Sequence, residues 1–149
     1  MWTRVLLITS VISITVVFGS GLAHLLEAYN KMRLSKEEYR IVQQIYRGWA
    51  LLGILACIAL ISTLLLAIQT RHQPYFISNF LSFICILATL IIFFVFIFPV
   101  NQLTKNWEIL PDNWMQLRHR WEVSHIINTI IYFIGLLLLI VPLVSRSSN

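Results

Sequence analysis

The chain has 149 residues, of which 58% are hydrophobic and 11% are charged, and its mean hydropathy is +0.80. An average soluble domain carries roughly 25% charged residues, so this chain has too few polar groups to cover a surface in water. The composition excludes a secreted disulfide mini-protein, a disordered tail and an ordinary cytosolic enzyme. The net charge of +5 does not indicate nucleic-acid binding, because the basic residues are scattered between long apolar segments, as at the ends of membrane helices.

Four uncharged segments are each long enough to cross a bilayer, and they cover residues 5–23, 48–68, 76–100 and 123–144. A helix needs about 20 apolar residues to cross a hydrocarbon core of roughly 30 Å, and in lipid its backbone amides must be satisfied within the same segment. We therefore predict an all-α integral membrane four-helix bundle with antiparallel up-and-down topology, in a single domain over residues 1–149. Its helices are expected at about residues 4–26, 36–69, 75–100 and 114–145.

The connections between these spans divide into two long loops and one short turn. With four spans, both termini and the turn around residues 69–75 lie on one side, and the loops at 24–47 and 101–122 lie on the other. Basic residues favour the long loops, where Lys31, Arg33, Lys36, Arg40, Arg47, Lys105, Arg118 and Arg120 lie, against Arg4, Arg71 and Arg146 on the other side. This bias predicts that both loops are cytoplasmic and both termini are outside, in a bacterial inner membrane.

Each long loop carries a local signal for helix boundaries. In the first, Ser35 followed three residues later by Glu38 is typical of a capping box. We therefore predict one long helix from Ser35 through the second span. In the second, Pro111-Asp112-Asn113 indicates a turn, after which a helix can begin at Trp114 and continue into the fourth span.

The fourth span contains polar residues at helical intervals. His125 lies four residues after Trp121 and three after Glu122, and Asn128 lies three residues further, so the four residues share one face of a helix. Asn128 is the deepest of the four, about 7 Å into the span by helical rise. Ionisable groups within a span are costly, and they indicate a functional site.

The first span ends with a similar pair at the same side of the membrane. His24 and Glu27 are three residues apart, as are Glu122 and His125 in the fourth span. Asn101, after the third span, reaches the same level. Because the depths of these residues match, we predict that all five converge in one pocket at the side of the two long loops.

Three interpretations of these residues remain open. Facing His/Glu pairs can assemble a metal site in a helical bundle, here from His24, Glu27, Glu122 and His125, and the two histidines could instead hold a haem. The pairs could also form a polar pocket without metal. The third interpretation is that each pair anchors a helix end, while Asn128 bonds across helices.

Four motifs carry a resemblance to a known family. They are AHLLE at residues 23–27, VQQIYRGW at 42–49, PVNQL at 99–103 and RWEVSH at 120–125. With these motifs the chain resembles the anthrone-oxygenase-like family of small four-helix bacterial membrane proteins, which is largely of unknown function. The resemblance covers nearly the whole chain. It implies a four-span fold, oxidation of a lipid-soluble aromatic or quinol-type substrate by dioxygen, and site positions at Asn101, Trp121 and His125.

These observations lead to three functional hypotheses. The first is a membrane oxidoreductase with His125 as general base, since imidazole titrates near neutral pH. The second is a metal- or haem-binding membrane protein, and the third is a non-enzymatic subunit or homo-oligomer that docks through its Gly/Ser-rich first helix. The expected partners are the lipid bilayer and a hydrophobic small molecule. The catalytic set is then His125, Glu122, Asn101 and Trp121, and the cofactor-binding set is His24, Glu27 and Asn128.

Overall fold

The structure is a computed structural model that describes the backbone of residues 1–146 and the side chains of residues 1–140. Within this part of the chain every regular element is helical, as the sequence predicts. Four segments are long and apolar enough to cross a membrane, and they are Trp2–Lys31, Trp49–Gln69, Phe76–Leu103 and Trp114–Ile140. The prediction of an all-α protein with four candidate spans is confirmed.

The described residues form six α-helices, two 3₁₀ turns and one π-helical turn. In chain order they are α1 (Trp2–Lys31), α2 (Lys36–Gln43), 3₁₀ turns at Gln44–Tyr46 and Trp49–Leu51, α3 (Leu52–Gln69), α4 (Phe76–Ile92), a π-helical turn at Phe93–Ile97, α5 (Phe98–Leu103) and α6 (Trp114–Arg146).

Two helix boundaries differ from the prediction. Helix α1 continues to Lys31 rather than ending near residue 26, so the first loop is shorter than expected. The predicted long helix over 36–69 is wrong, because the helix is interrupted by a turn between Tyr46 and Trp49. Gly48 adopts a left-handed backbone with φ of 87° there, a conformation that glycine takes without steric cost and that ends a helix. The capping box predicted at Ser35 is present.

The long helices form a closed ring, in which α1 packs on α3 and α6 and α4 also packs on α3 and α6. Small side chains allow close approach at these contacts. A Cβ atom added to Gly21 of α1 would lie 2.6 Å from Thr129 Oγ1 of α6. Ser10 of α1 donates a hydrogen bond to Ser62 of α3 at 2.9 Å. Many large apolar side chains on the outer faces are exposed, which fits contact with lipid.

The larger core lies between the long helices and includes Ile14, Leu66, Ile86 and Leu139. A smaller core lies where the two long loops meet the bundle. It consists of Tyr39, Ile97, Val100, Trp107, Leu117 and Trp121. The segment Lys105–Trp107 has three consecutive positive φ angles, 48°, 55° and 67°, which carry the Trp107 side chain into this core. Both loops are thereby packed against the first turns of α6, where the polar residues of the fourth span lie.

Candidate functional site

The centre of the polar cluster is Lys31, the last residue of α1, which is only 3% exposed. Lysine is almost never this buried unless it is paired. Its Nζ atom lies 3.0 Å from Glu122 Oε2 and 3.7 Å from Glu27 Oε2. It also donates a hydrogen bond to the Tyr46 hydroxyl at 3.0 Å and lies 3.4 Å from His24 Nδ1. One ammonium group therefore connects α1, α6 and the segment between α2 and α3.

Glu122 faces this ammonium and the α2 segment. Its Oε1 atom accepts hydrogen bonds from the Tyr39 hydroxyl at 2.9 Å and from Gln43 Nε2 at 3.4 Å. Burial, and next the Glu122 carboxylate, raise the pKa of the Tyr39 phenol above its ordinary value. The expected pairing of Glu122 with His125 over one helical turn is replaced by bonds to α1 and α2.

Glu27 likewise bonds across elements rather than to His24. It accepts a hydrogen bond from the Tyr46 hydroxyl and lies within ion-pair distance of Lys31. Burial, and next the hydrogen bond to Glu27, raise the pKa of the Tyr46 phenol. Both tyrosines therefore stay protonated donors to carboxylates well above neutral pH.

The two histidines stack on each other and are surrounded by the aromatic rings of Tyr46, Trp49 and Trp121. The His24 and His125 ring centroids are 4.2 Å apart with 25° between the planes. Trp121 lies 4.2 Å from the His125 ring and 5.0 Å from the His24 ring. Tyr46 and Trp49, from the segment between α2 and α3, contact His24 at 4.5 Å and 5.5 Å between ring centroids. The Nε2 atom of His125 is buried and has no hydrogen-bond partner among the described residues.

Of the two asparagines, Asn101 bonds to the aromatic residues beside the histidines, whereas Asn128 bonds to α4. Asn101 Oδ1 accepts a hydrogen bond from Trp121 Nε1 at 2.8 Å and so fixes the indole ring beside the histidines. Asn128 Nδ2 donates to the Thr89 carbonyl of α4 at 3.2 Å. This cross-helix bond is the one that the third interpretation gives to Asn128, and the residue's role toward a cofactor stays a prediction.

Arg118 joins the end of α1 to α6. Its guanidinium donates to the carbonyl oxygens of Lys31 at 3.4 Å and Leu34 at 3.0 Å, at the end of α1 and in the turn that follows it. The same group lies over the rings of Tyr39 and Trp114, at 5.4 Å and 4.6 Å from their centroids. Arg118 therefore holds the C-terminus of α1, and with it Lys31, against the site.

The structure thus brings together six of the seven predicted site residues and leaves Asn128 bonded to α4. The six are His24, Glu27, Asn101, Trp121, Glu122 and His125. Sequence reasoning missed the residues that link them, which are Lys31, Tyr39, Gln43, Tyr46 and Trp49. One signal was available for Lys31, which follows His24 by seven residues and Glu27 by four and so continues their stripe on α1.

The predicted metal and haem sets do not fit this geometry. Among the described residues, no group of three or more His, Cys, Asp or Glu side chains is arranged to hold a metal ion. The Lys31 ammonium lies beside both carboxylates, where it would repel a metal cation. A haem held by two histidines needs one imidazole on each face of its plane, whereas the rings of His24 and His125 stack directly on each other.

Comparison of the chain with protein-family models, curated proteins and solved structures gives no match. The resemblance to the anthrone-oxygenase-like family therefore stays a prediction that depends on the four sequence motifs. The functional argument depends on the geometry of the cluster itself.

Proposed function

We propose that the chain is an integral membrane protein with four antiparallel spans, whose long loops are cytoplasmic and whose termini are outside. The exposed apolar outer faces and the distribution of basic residues support this orientation. Contacts along α1 and α3 support antiparallel packing. Ser10, early in α1, bonds to Ser62, late in α3, whereas His24, late in α1, contacts Trp49 just before α3.

Cysteine labelling in intact cells tests the orientation. Gln73→Cys in the short turn and Glu108→Cys in the second long loop are made in a chain whose two native cysteines are replaced by alanine. We expect a membrane-impermeant maleimide to label Gln73→Cys directly and Glu108→Cys only after permeabilisation. The reverse pattern would overturn the orientation.

We propose further that the cluster binds a lipid-soluble phenol or quinol and oxidises it with dioxygen. The buried, unpartnered Nε2 atom of His125 is the observation that carries this proposal. A neutral imidazole nitrogen of this kind can accept the proton of a hydroxyl group. The neighbouring rings of Trp121 and Tyr46 offer apolar surfaces against which an aromatic substrate can pack.

With a quinol as substrate, the proposed reaction is a two-electron oxidation by dioxygen. His125 accepts one hydroxyl proton, and the Lys31 ammonium favours the resulting oxyanion electrostatically. The electron-rich anion gives two electrons in total to dioxygen, and the second hydroxyl proton is also lost. The products are one quinone and one hydrogen peroxide. Asn101 acts as a positioning residue, because it holds Trp121 rather than the substrate.

A continuous chain of polar groups supports proton exchange between this site and the loop side. Glu27, whose side chain is 40% exposed, accepts a hydrogen bond from Tyr46, which accepts one from Lys31. Lys31 in turn lies 3.4 Å from His24 Nδ1. A proton that reaches His24, whose ring stacks on His125, can leave along these groups toward the loops.

Turnover in nanodiscs tests the proposal. Purified protein is supplied with a reduced naphthoquinone under air, and oxygen uptake and quinone absorbance are followed together. We expect one quinone for each dioxygen consumed, at a rate well above that of empty nanodiscs. A rate equal to the empty-disc rate for several quinols and phenols would overturn the assignment.

A second candidate function is a non-enzymatic membrane subunit, which one feature of α1 favours. Gly19 is exposed, and a Cβ atom added there would meet no atom within 4 Å, so a foreign helix could approach it closely. Native gel electrophoresis of Gly19→Leu tests this candidate. A larger species that is present for the original chain and lost in the variant supports docking, whereas identical migration contradicts it.

A further inference from the structure

A groove on the outer surface of the bundle lies apart from the polar cluster. It runs between the end of α4 with its π-helical turn and the first half of α6, and its volume is about 340 Å³. Its lining is mostly apolar, but basic side chains occupy one end. The lining residues include Ile92, Phe96, His119, Arg120, Val123 and Ile127.

The backbone explains why a basic residue lies at this end. Pro99 has no backbone N–H, so the carbonyl of Val95, four residues earlier, lacks its usual helical donor. The Arg120 guanidinium supplies a donor instead and lies 5.2 Å from the Phe96 ring centroid. These two contacts hold the exposed guanidinium at the mouth of the groove. Its remaining N–H groups can bind a further acceptor.

The groove changes from charged to apolar along its length. Arg120 lies in the first turns of α6, at the level of the long loops. Ile127 lies seven residues further along α6, about 10 Å deeper by helical rise. Within the described part of the chain, no acidic side chain lines the groove. One end therefore suits an anionic group at the membrane interface, and the other suits a hydrocarbon chain.

We propose that this groove binds one anionic phospholipid. The phosphate lies on Arg120 and His119, and an acyl chain packs against Ile92, Val123 and Ile127. The positive charge of Arg120 and the lack of acidic residues among those that line the groove favour an anionic lipid over a zwitterionic one. This inference rests on the proposed membrane placement, but it is independent of the proposed quinol oxidation, because the groove shares no residue with the polar cluster.

Lipid titrations of the purified chain in a maltoside detergent test the proposal. Phosphatidylglycerol and phosphatidylcholine with identical acyl chains are added, and thermal unfolding and native mass spectrometry are recorded. We expect phosphatidylglycerol adducts and a higher Tm, with much smaller effects from phosphatidylcholine. Arg120→Gln should weaken the apparent affinity for phosphatidylglycerol about fivefold, the effect of one basic contact with an anionic lipid. Arg71→Gln, at an exposed arginine on the short turn, is the matched control and should leave the affinity unchanged.

Four results would overturn the proposal. Equal effects of the two lipids on the original chain would contradict headgroup recognition, and this comparison needs no variant. An equal rise of Tm with inorganic phosphate or glycerol phosphate would indicate a phosphate site rather than a lipid site. An equal loss in Arg71→Gln would indicate unspecific charge attraction. If Arg120→Gln does not fold, His119→Gln and the groove-filling Ile127→Trp are measured, and unchanged affinity in both contradicts the site.

Discussion

The Lys31–Glu122 ion pair should be among the most consequential contacts for the stability of this protein. Both side chains are 3% exposed or less, so solvent does not screen their attraction and cannot replace a lost partner. Lys31→Met keeps most of the aliphatic stem and removes the ammonium group, with its charge and its hydrogen bond to Tyr46. It leaves the Glu122 carboxylate buried with two neutral donors, Tyr39 and Gln43.

The expected magnitudes differ for the two partners. Breaking a buried ion pair by removing one partner costs about 3–5 kcal/mol, and we expect this for Lys31→Met. Glu122→Gln should cost less, about 1–3 kcal/mol, because Lys31 keeps Glu27 and Tyr46 as partners. The double variant contains no uncompensated charge at this contact. It should therefore be more stable than Lys31→Met alone.

Unfolding by SDS in mixed micelles, followed by tryptophan fluorescence, measures these free energies. The matched control is the surface pair Glu37 and Arg40, whose side chains are 63% and 41% exposed. Removing either of these charges should leave the unfolding free energy unchanged within error. The reasoning is refuted if Lys31→Met behaves like the surface variants, or if the effects of Lys31→Met and Glu122→Gln are simply additive.

Two further predictions concern packing and titration. Gly21→Ala should lower the unfolding free energy by about 1–3 kcal/mol, because its Cβ would lie 2.6 Å from Thr129 Oγ1. A Cβ at Gly19 would meet no atom within 4 Å, so Gly19→Ala should leave the unfolding free energy unchanged. Equal unfolding free energies for the two variants would contradict the close helix contact. Because burial raises the pKa of Tyr39 and Tyr46, their neutral forms favour the folded state, so stability should hold up to an ordinary phenol pKa of about 10 and fall above it. Phenolate absorbance near 295 nm in the folded protein at pH 10.5 should be identical in the original chain and in Tyr39→Phe, and a lower absorbance in the variant would show that the phenol is accessible.

The four long helices could be predicted from the sequence because apolar length alone determines them. The break at Gly48 could not, since a glycine inside an apolar helical pattern is often tolerated and only the backbone shows its φ of 87°. The extension of α1 to Lys31 could not be predicted, because the polar residues after residue 26 are typical of a loop and their tertiary partners are not visible in the sequence.

Six members of the polar cluster could be predicted from the sequence, but the residues that connect them could not. Depth matching correctly placed His24 and His125 near each other, because it needs only helical rise and the ends of the spans. The partners of Glu122 could not be deduced, since two of them come from α2, outside the spans, and the third was counted as a loop charge. Lys31 was assigned to the positive-inside bias, whereas its burial depends on the tertiary contacts of Glu122 and Tyr46.

The central claim, that His125 is the base of a quinol site, is tested most directly by His125→Gln in nanodiscs. Fold and turnover are measured on the same sample, with His72→Gln in the exposed short turn as the control. We predict that His125→Gln stays within about 1 kcal/mol of the original unfolding free energy. Its quinol oxidation should fall by orders of magnitude, because glutamine cannot accept a proton near neutral pH. If His125→Gln keeps both its fold and its full rate of quinol oxidation, while His72→Gln behaves identically, the assignment of His125 is wrong.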